Sequence, residues 1–310
     1  MSLTDGFTNG VILAFKPLIF TLVPLLITVG LIWMWKRWFV NRNRRSPLNF
    51  ELLRTPGYGL SKKLEDFNFD IISYLMFIMF LPLLVYSLYL SQIIDKPSVS
   101  KDLLIWIYCI AGFIGYAYFL YKLIKLLITR QKYRQALDGE LATAQCLEPV
   151  IAGGGRIFHD FQADGFNIDH VVVSIAGVFA VETKHRLKPT NVNAKEMAKV
   201  RFDGKVLNFP GWVETLPVDQ ARRQAVWLSK YLSKSTGEEI QVKPVLALPG
   251  WYVTNTGRSD VIVVNPKMNT FMFKSQDGQT IAEDCKQRIC FQLEQRCQEP
   301  AEAKKLKQSN

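Results

Sequence analysis

Histidine is scarce in this 310-residue chain, with three, and cysteine numbers five. His159, His170 and His185 do not fall at metal-ligand spacing, and no CxxC pair occurs, so neither a zinc site nor a disulfide framework is indicated. The cysteines read as free thiols, with Cys290 and Cys297 seven apart on an expected helix where packing accounts for them. The glycine cluster Gly153-Gly154-Gly155 lacks the lysine and spacing of a phosphate-cradling loop and reads as a linker. No small-x-small site closes the first apolar run, and only Lys16 precedes it as a cation, so the run is expected to remain as an anchor rather than to be cleaved as a signal peptide.

What the amino-terminal 130 residues do contain is three uncharged runs: Pro17 to Trp35 (19 residues), Ile71 to Ile94 (24) and Leu103 to Tyr121 (19). At about 1.5 Å per residue, each reaches about 28 Å or more as a helix, enough for a hydrocarbon core of roughly 30 Å. Three transmembrane helices are therefore expected; Pro17, Pro24 and Pro82 do not oppose them, since membrane helices tolerate proline. Because the runs carry no charged side chain, they offer no ion or proton path, which argues against a small transporter or channel.

The loop between the first and second runs carries Lys36, Arg37, Arg42, Arg44, Arg45, Arg54, Lys62 and Lys63, whereas Asp95 to Asp102 carries only Lys96 and Lys101. The positive-inside rule puts the longer loop, and the carboxy-terminal domain with it, in the cytoplasm and the amino terminus outside. The expected location is a bacterial inner or plasma membrane, with the lipid bilayer as a partner. The net charge of +11 adds little, because residues 1–130 hold 14 Lys/Arg against 7 Asp/Glu and the remainder 24 against 20. A soluble half at +4 fits phosphate binding without demanding it.

In that soluble half, Val171–Val173 and Val178–Val181 read as two strands of an antiparallel hairpin buried on both faces. A turn at Ile175 and Ala176 sets Asp169 opposite Glu182; a turn at Ala176 and Gly177 sets it opposite Lys184. Glu182 and Lys184 project from one strand face, with Thr183 pointing away. Two carboxylates can hold Mg2+ or Mn2+ through hard oxygens, and an adjacent lysine can orient water or offset charge on a phosphoryl transition state. Alone, the Glu-x-Lys spacing is far more often an ordinary Glu/Lys pair on a solvated strand end.

Leu137-Asp138-Gly139-Glu140, Phe158-His159-Asp160, Ile168–Val173, Gly177–Lys184 and Pro217-Val218-Asp219-Gln220-Ala221 occur in an order that resembles the NERD (nuclease-related) domain, similar to a branch of the PD-(D/E)xK nucleases. The resemblance covers roughly Gln131 to Pro249. It implies a core helix carrying Glu140, a three-stranded meander carrying Asp169, Glu182 and Lys184, and a later helix carrying Gln220, together the expected catalytic set. Asp169 and Glu182 would hold Mg2+ or Mn2+, with the Thr183 carbonyl a further ligand. The substrate implied is DNA or RNA. Departing from the family, His185-Arg186-Leu187-Lys188-Pro189 stands where an Asn and an aromatic are more usual.

Elsewhere, Arg156–Phe161 reads as a strand, Pro149–Gly155 as a helix-ending loop, and Ala198–Phe209 as a hairpin with a type I′ turn at Asp203-Gly204. Thr215–Leu232 reads as a helix capped by Thr215, with Val218, Ala221, Ala225, Leu228 and Leu232 inward. Arg222 and Arg223 on it are candidate phosphate contacts, against the plainer reading of solvent exposure. Val242–Leu248 and Val261–Val264 read as strands, Gln279–Gln298 as a closing helix and Ala301–Asn310 as a disordered tail. The expected architecture is a membrane region of three transmembrane helices (1–130), an α/β restriction-endonuclease-like domain with a mixed central sheet (131–298), and a tail (299–310). The expected function is a membrane-anchored, cytosol-facing metal-dependent nuclease. The alternative is a non-catalytic, membrane-tethered module that binds nucleic acid or protein and retains the fold.

Overall fold

The computed structural model describes residues 26–35, 52–95, 101–189, 198–272 and 281–298, with Val23, Arg37 and Trp38. Two compact units emerge, one containing Leu64–Gln131 and the other Asn49–Lys63 with Lys132–Ala303.

The first unit is helical. Of the expected run Pro17–Trp35, much lies outside the described residues, and Leu26–Trp35 (α1) is helical over a length short of the roughly 20 residues a span needs. The other two runs fall inside α2 (Tyr58–Asp95) and α3 (Lys101–Ala152). Tyr58–Leu90 and Ile105–Ala152 are long and apolar enough to cross a membrane, and only 6% of each apolar window is buried, unlike a soluble core helix. Two such helices are therefore present among the described residues rather than the expected three. Gly112 lies against Val85 and Gly115 against Leu81, so small residues let α3 approach α2 closely. Phe77 and Phe119 stack at 5.0 Å between centroids, and Arg130 Nε donates to Asn68 Oδ1. Pro149 does not end α3 as expected. The helix runs three residues further, held by the buried side chains of Leu147 and Val150, and the Gly155 N–H donates to the Val150 carbonyl where the chain turns.

The second unit is built on a mixed five-stranded sheet in the order β1-β2-β3-β7-β9: Arg156–Gln162, Asn167–Ser174, Gly177–Thr183, Val242–Ala247 and Ile262–Val264. The first three strands form an antiparallel meander, and β7 and β9 join in parallel. Ser174 pairs with Gly177, so the turn is Ile175-Ala176 and the first of the two expected registers is the one adopted. Near-continuous valine makes sense here because both faces are covered. Val171, Val173, Val178 and Ala180 pack with Ala225, Leu228 and Leu232 of α4 (Leu216–Thr236) and with Ile289 and Leu293 of α5 (Glu283–Cys297). Val172, Phe179 and Val181 pack with Leu147 and Val150 of α3. The expected helix start at Gln279 and the tail Ala301–Asn310 lie outside the described residues.

The sequence did not suggest a second sheet, ordered β6-β5-β4-β8: Trp212–Glu214, Leu207–Phe209, Lys199–Phe202 and Tyr252–Asn255. Its inner face meets Val218 and Ala221 of α4, with Leu246, Leu248 and Trp251. Phe202 pairs with Leu207, which leaves four loop residues rather than the expected two of a type I′ turn. Asp203 Oδ1 accepts the N–H groups of Lys205 and Val206 and so closes that longer loop. Nor does Thr215 cap α4 through its hydroxyl; its carbonyl accepts the Val218 N–H, and Pro217 occupies the first turn.

Candidate active site

The site forms where the meander opens beyond its last paired residues. His170 pairs with Val181, so the next position sets Asp169 beside Glu182, but there the carboxylate replaces the ladder: Asp169 Oδ2 accepts the Thr183 N–H at 2.7 Å. The β1–β2 ladder also skips one pair, between His159–His170 and Phe161–Ile168. The residue skipped on β1 is Asp160, the one non-glycine residue with positive φ (48°) among the described residues. That left-handed step, which Asp tolerates better than most residues, lets Phe158 and Phe161, three apart, enter the same core cluster.

Glu182 is buried, and both its oxygens are engaged. Oε1 accepts from Lys184 Nζ at 2.5 Å, and Oε2 from Gln224 Nε2 at 2.6 Å. Lys184 is fixed at its backbone too, its N–H donating to the Ala247 carbonyl at 2.9 Å. Glu140 arrives from α3, one residue after a glycine that permits the approach. A Cβ on Gly139 would lie 2.6 Å from the Cβ of His185, directly after Lys184 on the chain. Burial, then Asp160 and Glu182, push the Glu140 carboxyl up to about 7, with Lys184 opposing. Burial, followed by Glu182 and Glu140, raises Asp169 well above the usual carboxylate range, against the pull of the Thr183 N–H and Lys184. Three carboxylates thus share a poorly hydrated space with one ammonium, an imbalance that favours a further cation or protons.

Glu140, Asp169, Glu182 and Lys184 are accordingly brought within electrostatic reach of one another. Gln220 is half-buried on α4, and the glutamine bonded to Glu182 is Gln224, one turn further along. Sequence reasoning passed over Gln224, although its position was a signal: it interrupts the apolar face between Ala221 and Leu228 with a buried amide. Arg222 is committed elsewhere, its guanidinium forked onto Asp260 (2.7 and 2.8 Å) and reaching Asp219 (2.9 Å), while Arg223 is exposed. His170 is fully buried and hydrogen-bonded Nδ1 to Nδ1 with His159 at 2.8 Å, one ring donating and the other accepting. Burial lowers the two to about 3 and about 4, which suits neutral packing histidines.

Among the described residues, no three His, Cys, Asp or Glu groups converge closely enough to cage a metal ion. Magnesium, however, is commonly held by one or two carboxylates with water completing its shell. The donor set fits that mode: Asp169 and Glu182 supply hard oxygens, and the buried Oε1 of Gln224, whose amide nitrogen holds Glu182, lacks a hydrogen-bond partner within the protein. Sequence comparison matches residues 135–249 to the nuclease-related domain, NERD. No curated protein and no solved structure matches the chain. The strands bearing Asp169, Glu182 and Lys184, the helix turn bearing Glu140 and the Gln224 amide all lie within the matched residues, and this part of the chain is a NERD nuclease-related domain.

Proposed function

We propose that the protein is a membrane-anchored, metal-dependent nuclease whose NERD domain faces the cytosol and hydrolyses DNA or RNA phosphodiesters. The observation that carries this reading is the meeting of Asp169, Glu182 and Lys184 with Glu140 at the open end of the meander. Asp169 and Glu182 would hold Mg2+ or Mn2+, which when bound supplies charge for the phosphate oxygens and acidifies water. Thr183, through its N–H, orients the Asp169 carboxylate, and Gln224 orients Glu182. Lys184 is placed to leave Glu182 for the phosphate as negative charge grows there, an electrostatic contribution of the oxyanion type. Glu140, its carboxyl raised to about 7, can hold or release a proton near neutrality. Anchoring is supported by the two membrane-length helices with their unburied apolar surface.

One observation favours the non-catalytic reading: both Glu182 oxygens already accept hydrogen bonds from the protein. An assay decides between the two. The full-length chain in neutral detergent, given Mg2+ or Mn2+ and single- or double-stranded DNA or RNA, should cleave at least one substrate. Glu182→Gln and Lys184→Ala should each lower the rate by about a hundredfold or more. Binding without cleavage under every metal and substrate would leave the binding module as the function.

A further inference from the structure

The second sheet has an outward face that the catalytic geometry leaves unused. Along β4, burial alternates strictly: Val200 and Phe202 enter the core while Lys199 and Arg201 are exposed. The parallel register sets Tyr252 directly opposite Lys199, and Tyr252 is 68% exposed. Asn208 of β5 lies opposite Arg201 on the other side and is also exposed. Lys199, Arg201, Asn208 and Tyr252 therefore share one solvent face, with neighbouring strands about 4.8 Å apart and the two cations about 6.6 Å apart along β4.

Charge on this face is unbalanced in one direction. Among the described residues, the acids of the neighbouring strands and loops are engaged elsewhere: Asp203 closes its own loop, Glu214 is bound by Arg186 and the Trp212 indole, and Asp260 is bound by Arg222. Lys199 and Arg201 form no ion pair among the described residues. The sheet is also fastened to the chemistry. Arg186, two residues beyond Lys184, forks onto Glu214 of β6 and accepts the Trp251 indole N–H through its carbonyl, just ahead of β8. Both edge strands are thus tied to the segment that leaves the catalytic strand.

Resting on the nuclease reading, we propose that this outward face is a docking platform for single-stranded nucleic acid, which it holds in line with the site. Lys199 and Arg201 take backbone phosphates and Tyr252 stacks on an unpaired base, the pairing of electrostatics and aromatic stacking that single-strand binders use. A duplex hides its base faces and cannot use Tyr252 in this way.

The test is fluorescence anisotropy of a labelled single-stranded DNA oligonucleotide, and of RNA of the same sequence, with the full-length chain in neutral detergent and EDTA. Lys199→Ala with Arg201→Ala should weaken binding at least tenfold and reduce the slope of log K against log salt by about 1.4, near 0.7 per phosphate lost. Tyr252→Ala should weaken binding about tenfold with the slope unchanged, and Tyr252→Phe should restore it. Unaltered affinity in the triple variant, or equal binding of duplex with no effect of Tyr252→Ala, overturns the proposal. So does binding to phosphatidylglycerol vesicles in place of oligonucleotide, when that binding is lost in the same variants. A wild type that binds through this face but cleaves nothing sinks the nuclease reading and leaves the platform; a nuclease whose affinity ignores these residues does the reverse.

Discussion

At the scale of single residues, the decisive question is whether Asp169 and Glu182 act on one ion. Their surroundings make the metal-free site costly. Burial and mutual repulsion raise Asp169 and Glu140 above their ordinary values, so the folded form binds protons more tightly than the unfolded form. Stability of the metal-free protein therefore falls as pH rises past the unfolded value near 4, and this loss is complete only above the folded value, about 7 for Glu140. The buried His159 and His170 act in the opposite sense. Kept neutral, they lose stability for the fold as pH drops below their unfolded value near 6.5, so wild type and variant must be compared at each pH. Metal and protons compete for the same oxygens. The rise in melting temperature produced by Mg2+ or Mn2+ should accordingly grow from pH 5 to pH 8. A hundredfold excess over Kd gives about 2.7 kcal/mol, which corresponds to about 5 °C or more. Asp169→Asn should remove that rise and, without metal at pH 8, melt no lower than wild type, because an amide oxygen still accepts the Thr183 N–H while the repulsion is gone. An undiminished metal-induced rise, or a strongly destabilised metal-free variant, would make Asp169 a structural residue.

At the scale of elements, the stretch ahead of α2 belongs to the unit that holds the NERD domain rather than to the helical unit. Leu53 bridges to Gln298, the Arg54 N–H donates to the Cys297 carbonyl, and Gly57 packs on Leu137, with Glu140 close by. Arg54 is buried with Asp160, donating to its carbonyl at 3.2 Å with the carboxylate at 3.7 Å, and lies over the Tyr58 ring. Removing one partner of a buried pair costs more than removing both. Arg54→Met should destabilise the unit by about 3 kcal/mol, and adding Asp160→Asn should return part of that loss, since asparagine keeps the left-handed backbone open. Strictly additive losses in denaturant melts would show the pair to be uncoupled. None of this was legible in the sequence, where Arg54 is one of eight cations in a basic loop. The meander was legible because its valine pattern and the Ile175-Ala176 turn are local, and β7 and β9 because each is a short apolar, valine-bearing run with a buried centre at Val245–Ala247 and Val263. The second sheet was not: β5 and β6 are three residues each, β8 is largely exposed, and the β4–β8 pairing is long-range. Gln224 was missed for a related reason, since its partner Glu182 is 42 residues away and only the folded sheet brings them together.

At the scale of the whole molecule, the remaining proposal is which side of a membrane the nuclease unit occupies. α2 and α3 pack antiparallel through Gly112 and Gly115. If they span, the loop between them lies opposite both the segment ahead of α2 and the nuclease unit. The cation asymmetry then assigns the sides. Arg54 no longer counts as a surface charge, yet seven of the eight cations in the longer loop remain against Lys96 and Lys101. A reporter active only in the cytoplasm should give signal when fused after Asn310 and none when inserted at Pro97. The run Pro17–Trp35 decides a separate matter, the side on which Met1 lies. With that run as a third span, a reporter ahead of Met1 is silent; if only α2 and α3 cross, it is active, because an even number of spans returns both termini to one side. Signal at Pro97 with silence after Asn310 would place the nuclease unit outside, away from the cell's own nucleic acid. In that event the cytosolic assignment falls, while the geometry of Asp169, Glu182 and Lys184 would still have to be explained by a substrate found beyond the membrane.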